Sequence, residues 1–353
     1  MKRRLVEAAL ETAVALLAIV LALAAGGLLI AARGHDPIAV YRVLFSETLG
    51  LYVGPVVFKA TTLAFTGAAA AFAFRSGMFN IGAEGQIYGG AFLCALAGLW
   101  LPSGTPAYVA IPILLVAAAA GGALVALPPA VLKATRGTHE VINTMMMNFI
   151  ALAGINWWLG KVRVPETVHT PKILVGGRLP RLSVWFSEMR GSYANLSALV
   201  AVVACAAVAY VFLRTRTGYD LRAVGHSPGA AEYGGVSVRR SMVLALLGSG
   251  ALAGLGGTNF VMGGEGYWFE QNFAPYQGYL GIAVALLARN NPMAVLPAAF
   301  LFAVLAEGGQ AIQQFVPKEI GEILQALVIV FVVIGGRLLK DGTLRWQRRT
   351  LRG

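Results

Sequence analysis

Ser76-Gly77-Met78-Phe79-Asn80-Ile81-Gly82-Ala83-Glu84-Gly85-Gln86 interrupts a chain that is otherwise mostly apolar. Hydrocarbon tolerates such a run poorly. Each unpaired backbone N–H or C=O in lipid costs several kcal/mol, so irregular backbone survives there only against protein or a water-filled cavity. Asn80, Glu84 and Gln86 add polar side chains at a depth where such groups usually mark a path for a solute or ion. Gly77, Gly82 and Gly85 permit a tight turn or a close helix contact. A broken helix here would aim free N–H groups at a polar ligand. The alternative is a short inner loop whose polar groups sit in water.

Composition sets the class. The chain has 353 residues, 58% hydrophobic and only 12% charged, with a mean hydropathy of +0.71. Soluble domains carry about 25% charged residues. The expectation is an all-α polytopic membrane protein, a single transmembrane domain over 1–353. The net charge of +12 lies between apolar spans, where membrane orientation explains it better than nucleic acid does. Cys94 and Cys205 fall inside apolar stretches and read as small buried hydrophobes. Histidines 35, 139, 169 and 226 show no metal spacing. Lys2, Arg3 and Arg4 precede a long apolar stretch to Ala32, which reads as a retained first helix rather than a removed signal.

A spanning helix needs roughly 20 apolar residues. That rule yields about ten segments: 9–32, 54–74, 84–100, 107–132, 141–160, 194–213, 241–262, 274–289, 293–312 and 320–337. Pro112, Pro128 and Pro129 are expected to kink or shorten the fourth. Most Lys and Arg then fall on segments that place both termini in the cytoplasm. One outer loop, 161–193, dissents with six basic residues: Lys161, Arg163, Lys172, Arg178, Arg181 and Arg190. It reads as an outer docking or lid segment. Gly-interrupted regions at 77–90 and 248–282 fall one in each half, the pattern of discontinuous helices in an internal repeat with a binding path at its interface.

Two further segments invite function. Glu140, Thr144 and Asn148 form an i, i+4, i+8 stripe on one helix face, flanked by Asn143 and Met147. The stripe lines a pathway or supplies interhelical hydrogen bonds, and the sequence does not choose between them. In the inner loop 214–240, Ser227 reads as an N-cap with Pro228 in the first turn, and Gly234-Gly235 as the stop. The short helix 228–233 is either a solvated turn or an element that docks into a cytoplasmic partner. No nucleotide-binding G-x-x-x-x-G-K-[ST] occurs, and no protease or esterase motif.

Four stretches together carry a resemblance: Gly77 to Gln86, His139 to Thr144, Leu221 to Gly225 with Ala230-Ala231, and Gly281 to Pro292. The chain from about residue 55 to 337 resembles the membrane permease of bacterial ABC importers for nucleosides and simple sugars, relatives of the ribose and branched-chain amino-acid permeases. The resemblance implies an inner-membrane subunit with no catalytic residue, metal or cofactor of its own, ATP and Mg being bound by a partner. It implies three partners besides lipid: a second homologous permease in a heterodimer, a cytoplasmic ABC ATPase and an outer substrate-binding lipoprotein. By the same analogy Phe79, Asn80, Glu84, Gln86, Asn143 and Asn148 lie on the substrate path. Arg222, Gly225, Pro228, Ala231, Glu232 and Gly234 couple to the ATPase. The implied activity is alternating-access import of a nucleoside-like solute. A sugar, a branched-chain amino acid or a vitamin is the alternative cargo, and ion-coupled secondary transport the alternative mechanism.

Overall fold

A computed structural model describes residues 2–317 and 319–350. It is helical throughout, and the described residues contain two isolated β-bridges but no strand. In chain order the α-helices are α1 Lys2–Ala32, α2 Pro37–Gly50, α3 Val53–Arg75, α4 Ala83–Trp100, α5 Ala107–Arg136, α6 Glu140–Val162 and α7 Ser197–Arg214. They continue with α8 Arg216–His226, α9 Pro228–Tyr233, α10 Val238–Gly256, α11 Thr258–Val261, α12 Gln277–Leu287, α13 Val295–Ala311 and α14 Glu319–Thr350. Two compact units result, one spanning 53–300 and the other formed by the segments before and after it.

Each of the ten apolar segments falls on a helix, but the helices are not ten equal spans. Length and apolarity single out four described spans: α3, α5, α7, and α10 continued by α11. Leu16–Ala32 with Pro37–Gly50, bent by 120°, would make a fifth. α2 was absent from the sequence reading because its 14 residues fall below the spanning length. Asp36 starts it, accepting from the Ile38 N–H at 2.9 Å, with Pro37 in the first turn. The expected break in α5 does not occur as a terminus. Pro112, Pro128 and Pro129 lie inside a 30-residue helix that ends only at Gly137, φ +66. Neighbouring helices can accommodate the freed backbone groups in a membrane helix.

In the 53–300 unit, α4, α5 and α10 approach backbone to backbone. A Cβ on Gly90 would lie 2.3 Å from the Gly254 carbonyl oxygen, so only glycine fits this crossing. One core cluster gathers Phe92, Leu114, Ile173 and Phe269, while another gathers Phe72, Met78, Phe212, Leu221 and Leu246. In the other unit, α1 and α14 pack along each other. Tyr41 of α2 donates to the Leu23 carbonyl at 2.6 Å, and Gln325 of α14 donates to the Phe302 carbonyl at 3.0 Å.

The segment 161–193 is tied down. Ile173 and Leu179 are buried, and the N–H groups of Thr170, Ile173 and Leu179 donate to the carbonyls of Phe269, Tyr267 and Met262 at 2.9, 2.8 and 2.7 Å. Four of its six basic residues lie over aromatic rings. Lys161 lies 3.5 Å above the Trp157 ring, Arg178 4.8 Å above Tyr267, Arg181 5.1 Å above Tyr193 and Lys172 5.6 Å above Trp268. Each of these four cations is within cation–π range of its ring.

Candidate functional site

The run that decides the fold closes one helix and opens the next. After Arg75, Gly77 takes φ +71, and the Met78 N–H bonds back to the Ala73 carbonyl at 3.0 Å while the Met78 side chain is buried. This is a glycine-closed helix end with its hydrophobic contact. Two residues on, the Asn80 Oδ1 accepts from the Gly82 N–H at 2.9 Å and leads the chain into α4.

Asn80 is the hub of a buried network. Its Nδ2 donates to Gln86 Oε1 at 2.8 Å and to Ser249 Oγ of α10 at 2.7 Å, while its Oδ1 accepts from Gln86 Nε2 at 3.1 Å. Ser249 Oγ in turn donates to the Ala69 carbonyl at 2.7 Å. From α6, Thr144 Oγ1 accepts the Ile81 N–H at 3.2 Å. Asn148 Oδ1 accepts the Gly85 N–H at 2.9 Å, and its Nδ2 donates to the Ile81 carbonyl at 3.0 Å and to the Tyr279 hydroxyl at 3.1 Å. Asn80, Gln86 and Asn148 are each only 1% exposed.

Glu84 performs a different task. Its carboxylate accepts from the backbone N–H groups of Tyr276 and Gly278, both at 2.8 Å, and so caps the start of α12. A negative group there opposes the partial positive charge of a helix N-terminus. Thr66, midway along α3, donates to the Gln277 carbonyl at 3.1 Å. The 11-residue α12 is therefore a half-helix that begins at the depth of the middle of α3. The two Gly-interrupted regions read from the sequence meet here.

The other residues expected on the path lie elsewhere. Asn143 donates to Thr138 and is half-buried. Phe79 is 49% exposed and packs on Phe74 with ring centroids 4.6 Å apart. Glu140, at the head of the stripe, pairs with Lys133 at 2.8 Å and joins the ends of α5 and α6 instead of the network. Sequence reasoning missed Ser249 and Tyr279, whose partners lie 169 and 131 positions away. It also missed a second knot around Asn259. There Asn259 donates to the Phe58 carbonyl at 2.8 Å and to Thr62 at 2.9 Å, and accepts from Asn195 at 3.0 Å and Ser197 at 2.7 Å. The Gly256-Gly257-Thr258-Asn259 interruption was its only local signal.

At the other end of α3 the loop meets the 214–240 segment. A Cβ on Gly225 would lie 2.7 Å from the Arg75 carbonyl oxygen and 2.9 Å from the Gly77 nitrogen. α8 thus rests directly on the first motif, anchored by buried Leu221 and Val224. α9 follows as read, with Ser227 capping the Ala230 N–H at 3.4 Å and Gly235 at φ +82 beyond it. Ala231 is buried, Pro228, Glu232 and Gly234 are exposed, and Arg222 is half-buried with its Nε on the Gly218 carbonyl. Beside α9 a groove of about 550 Å³ is lined by Arg216, Asp220, Ser237 and Arg240.

Discontinuous helices meeting around buried polar groups define the class of membrane solute permeases. The chain belongs to the family of permease components of branched-chain amino acid transport systems, whose profile matches residues 52–333. It is 36% identical to the guanosine ABC transporter permease protein NupP of Bacillus subtilis (strain 168), over 93% of this chain and 97% of that one. It is 32% identical to the nucleoside ABC transporter permease protein NupB of Lactococcus lactis subsp. cremoris, over 91% and 90%. The glucose ABC transporter permease protein TsgB13 of Haloferax volcanii is 35% identical, over 94% and 89%.

Proposed function

We propose that this chain is the permease subunit of an ATP-driven importer that carries a nucleoside-like solute across the cell (inner) membrane. The observation that carries the reading is full-length similarity to two permeases named for guanosine and nucleoside transport. The subunit pairs with a second permease, receives solute from an outer binding protein and takes its energy from a cytoplasmic ATPase that binds ATP and Mg. Asn80, Gln86 and Asn148 shape the path by holding the broken loop against α6 and α10. Glu84 fixes the half-helix α12. Gly225 and the exposed face of α9, with Pro228, Glu232 and Gly234, transmit the ATPase's movement to that loop. A sugar cargo is the second reading, favoured by the glucose permease relative.

The test is uptake of labelled guanosine, adenosine, uridine, ribose and glucose into proteoliposomes holding this chain, its partner permease and the ATPase, with the binding protein outside. ATP-dependent nucleoside uptake is expected. Uptake driven by an ion gradient without the ATPase would discard the energy coupling. ATP-dependent glucose or ribose uptake alone would move the cargo.

A further inference from the structure

At the end of α3 away from α8 the structure holds a cleft that the polar network does not use. Phe58 lies in the first turns of α3, whereas the contact with Gly225 comes just past its last residue, about 25 Å along the helix. The cleft has a volume of about 280 Å³. That is at the lower edge of the ~300–1,000 Å³ typical of small-molecule sites, and suits a compact solute rather than a peptide. Its walls are aromatic: Phe58, Tyr193, Phe260, Trp268 and Phe273.

These rings are held in place. Phe58 and Phe260 meet edge-on with centroids 5.0 Å apart, and Phe260 and Phe273 at 4.6 Å. Trp268 stacks on His169 at 4.0 Å and 12°. A Cβ on Gly266 would fall 2.1 Å from the Trp268 ring, so glycine alone lets that ring lie against the backbone. The Asn259 side chain holds the Phe58 carbonyl. The remaining walls are polar, with Glu265, Glu270, Gln271 and Asn272 all exposed.

We propose that this cleft is an entry subsite for a neutral nucleoside, its base stacked among the rings and its ribose hydroxyls donating to the carboxylates. The inference rests on the nucleoside reading above. Every base has a flat π-face, and stacking on aromatic side chains is tolerant of base identity. The amides of Gln271 and Asn272 offer both donors and acceptors to a base edge. Both charged residues lining the cleft are carboxylates, which repel a nucleotide's phosphate or an amino acid's carboxylate. A free sugar presents hydroxyls but no flat aromatic ring to lie among these walls.

The experiment is initial-rate uptake of labelled guanosine by the complete reconstituted importer carrying Trp268→Ala, Trp268→Phe or Phe260→Ala. Trp268→Ala and Phe260→Ala should each raise the half-saturating guanosine concentration about tenfold, the scale of one lost base stack. Trp268→Phe should restore it to near the wild-type value. Photolabelling of the unmutated complex with 8-azidoadenosine gives a readout that folding defects do not touch, and its label should map to the cleft walls, Phe58, Tyr193 or residues 260–273. Wild-type guanosine uptake with unchanged half-saturation in both alanine variants would overturn the subsite alone, as would a label that maps elsewhere. A wild-type complex that imports glucose and no nucleoside would overturn the nucleoside reading, and this cleft's ligand with it.

Discussion

Asn80 spends its whole hydrogen-bonding capacity on protein: two donations, to Gln86 and Ser249, and two acceptances, from Gly82 and Gln86. An Asn80→Leu change would strand the Gly82 N–H and the Gln86 amide. Each stranded buried group costs roughly 1–3 kcal/mol, so a clear drop in the midpoint of thermal unfolding in detergent is expected, with loss of uptake. Unchanged unfolding and unchanged uptake would remove Asn80 from both the framework and the path. Asn143 makes the useful contrast, because it is half-buried and bonds to Thr138 just before the start of α6. Asn143→Leu should shift stability by about 0.5 kcal/mol or less. A loss of uptake at that intact stability would mark Asn143 as a solute contact. Glu84 sits between these cases. Its two oxygens serve two backbone N–H groups, and Glu84→Gln leaves one acceptor oxygen and no charge. A loss of about 1–2 kcal/mol is expected, and equal thermal midpoints for the two proteins would show that the cap contributes nothing.

At the scale of elements, α9 is the piece most clearly built to be met by something else. Its Ser227 cap and the glycine turn after it hold six residues in a helix, and Tyr233 at its tip is 98% exposed. Exposed aromatics of this kind are enriched among the residues that dominate protein interfaces. Tyr233→Ala should weaken association of the detergent-solubilised permease with its ATPase by at least about tenfold, as measured by retention of the ATPase on immobilised permease. Unchanged retention would remove α9 as the docking element. This element was legible in the sequence because capping is local chemistry: Ser227, Pro228 and Gly234-Gly235 each act on backbone within a turn of themselves. α12 was not legible to the same degree. Residues 274–289 read as one apolar run, yet the helix starts at Gln277 because a carboxylate nearly 200 positions earlier binds the N–H groups at its start. In sequence the basic loop 161–193 reads as an outer docking or lid segment, and its ties to the rest of the fold are equally non-local. Counting charge left Lys172, Arg178 and Arg181 as dissenters from membrane orientation, because the rings they lie over come from 193 and 267–268. Asn80, Glu84 and Gln86 are singled out together by their cost in lipid, but the buried network also depends on Ser249 and Tyr279, and no local pattern names those.

For the molecule as a whole, α3 is the member that links the two ends of the 53–300 unit. Phe58 near its start faces the aromatic cleft, Thr66 at its middle holds α12, and the turn just past Arg75 carries Gly225 of α8. α8 therefore meets the turn that leads to the Asn80 loop backbone to backbone, with no flexible side chain in between, which is the contact the proposed coupling uses. Gly225→Trp would need space that the Arg75 carbonyl and Gly77 occupy, so it should separate ATP hydrolysis from uptake. That argument requires α9 and the 161–193 segment to face opposite sides of the membrane, and the chain supplies a clean way to check. Its two cysteines, Cys94 and Cys205, are fully buried and should stay silent toward a membrane-impermeant maleimide. Tyr233, 98% exposed, and Trp185, 58% exposed, are good positions for single reporter cysteines. In intact cells Trp185→Cys should label from outside, and Tyr233→Cys should label only after the membrane is permeabilised. Labelling of both from outside would place α9 away from any cytoplasmic ATPase and end the coupling scheme. Labelling of Tyr233→Cys alone would invert the orientation, putting the aromatic cleft on the cytoplasmic side and making it an exit rather than an entry.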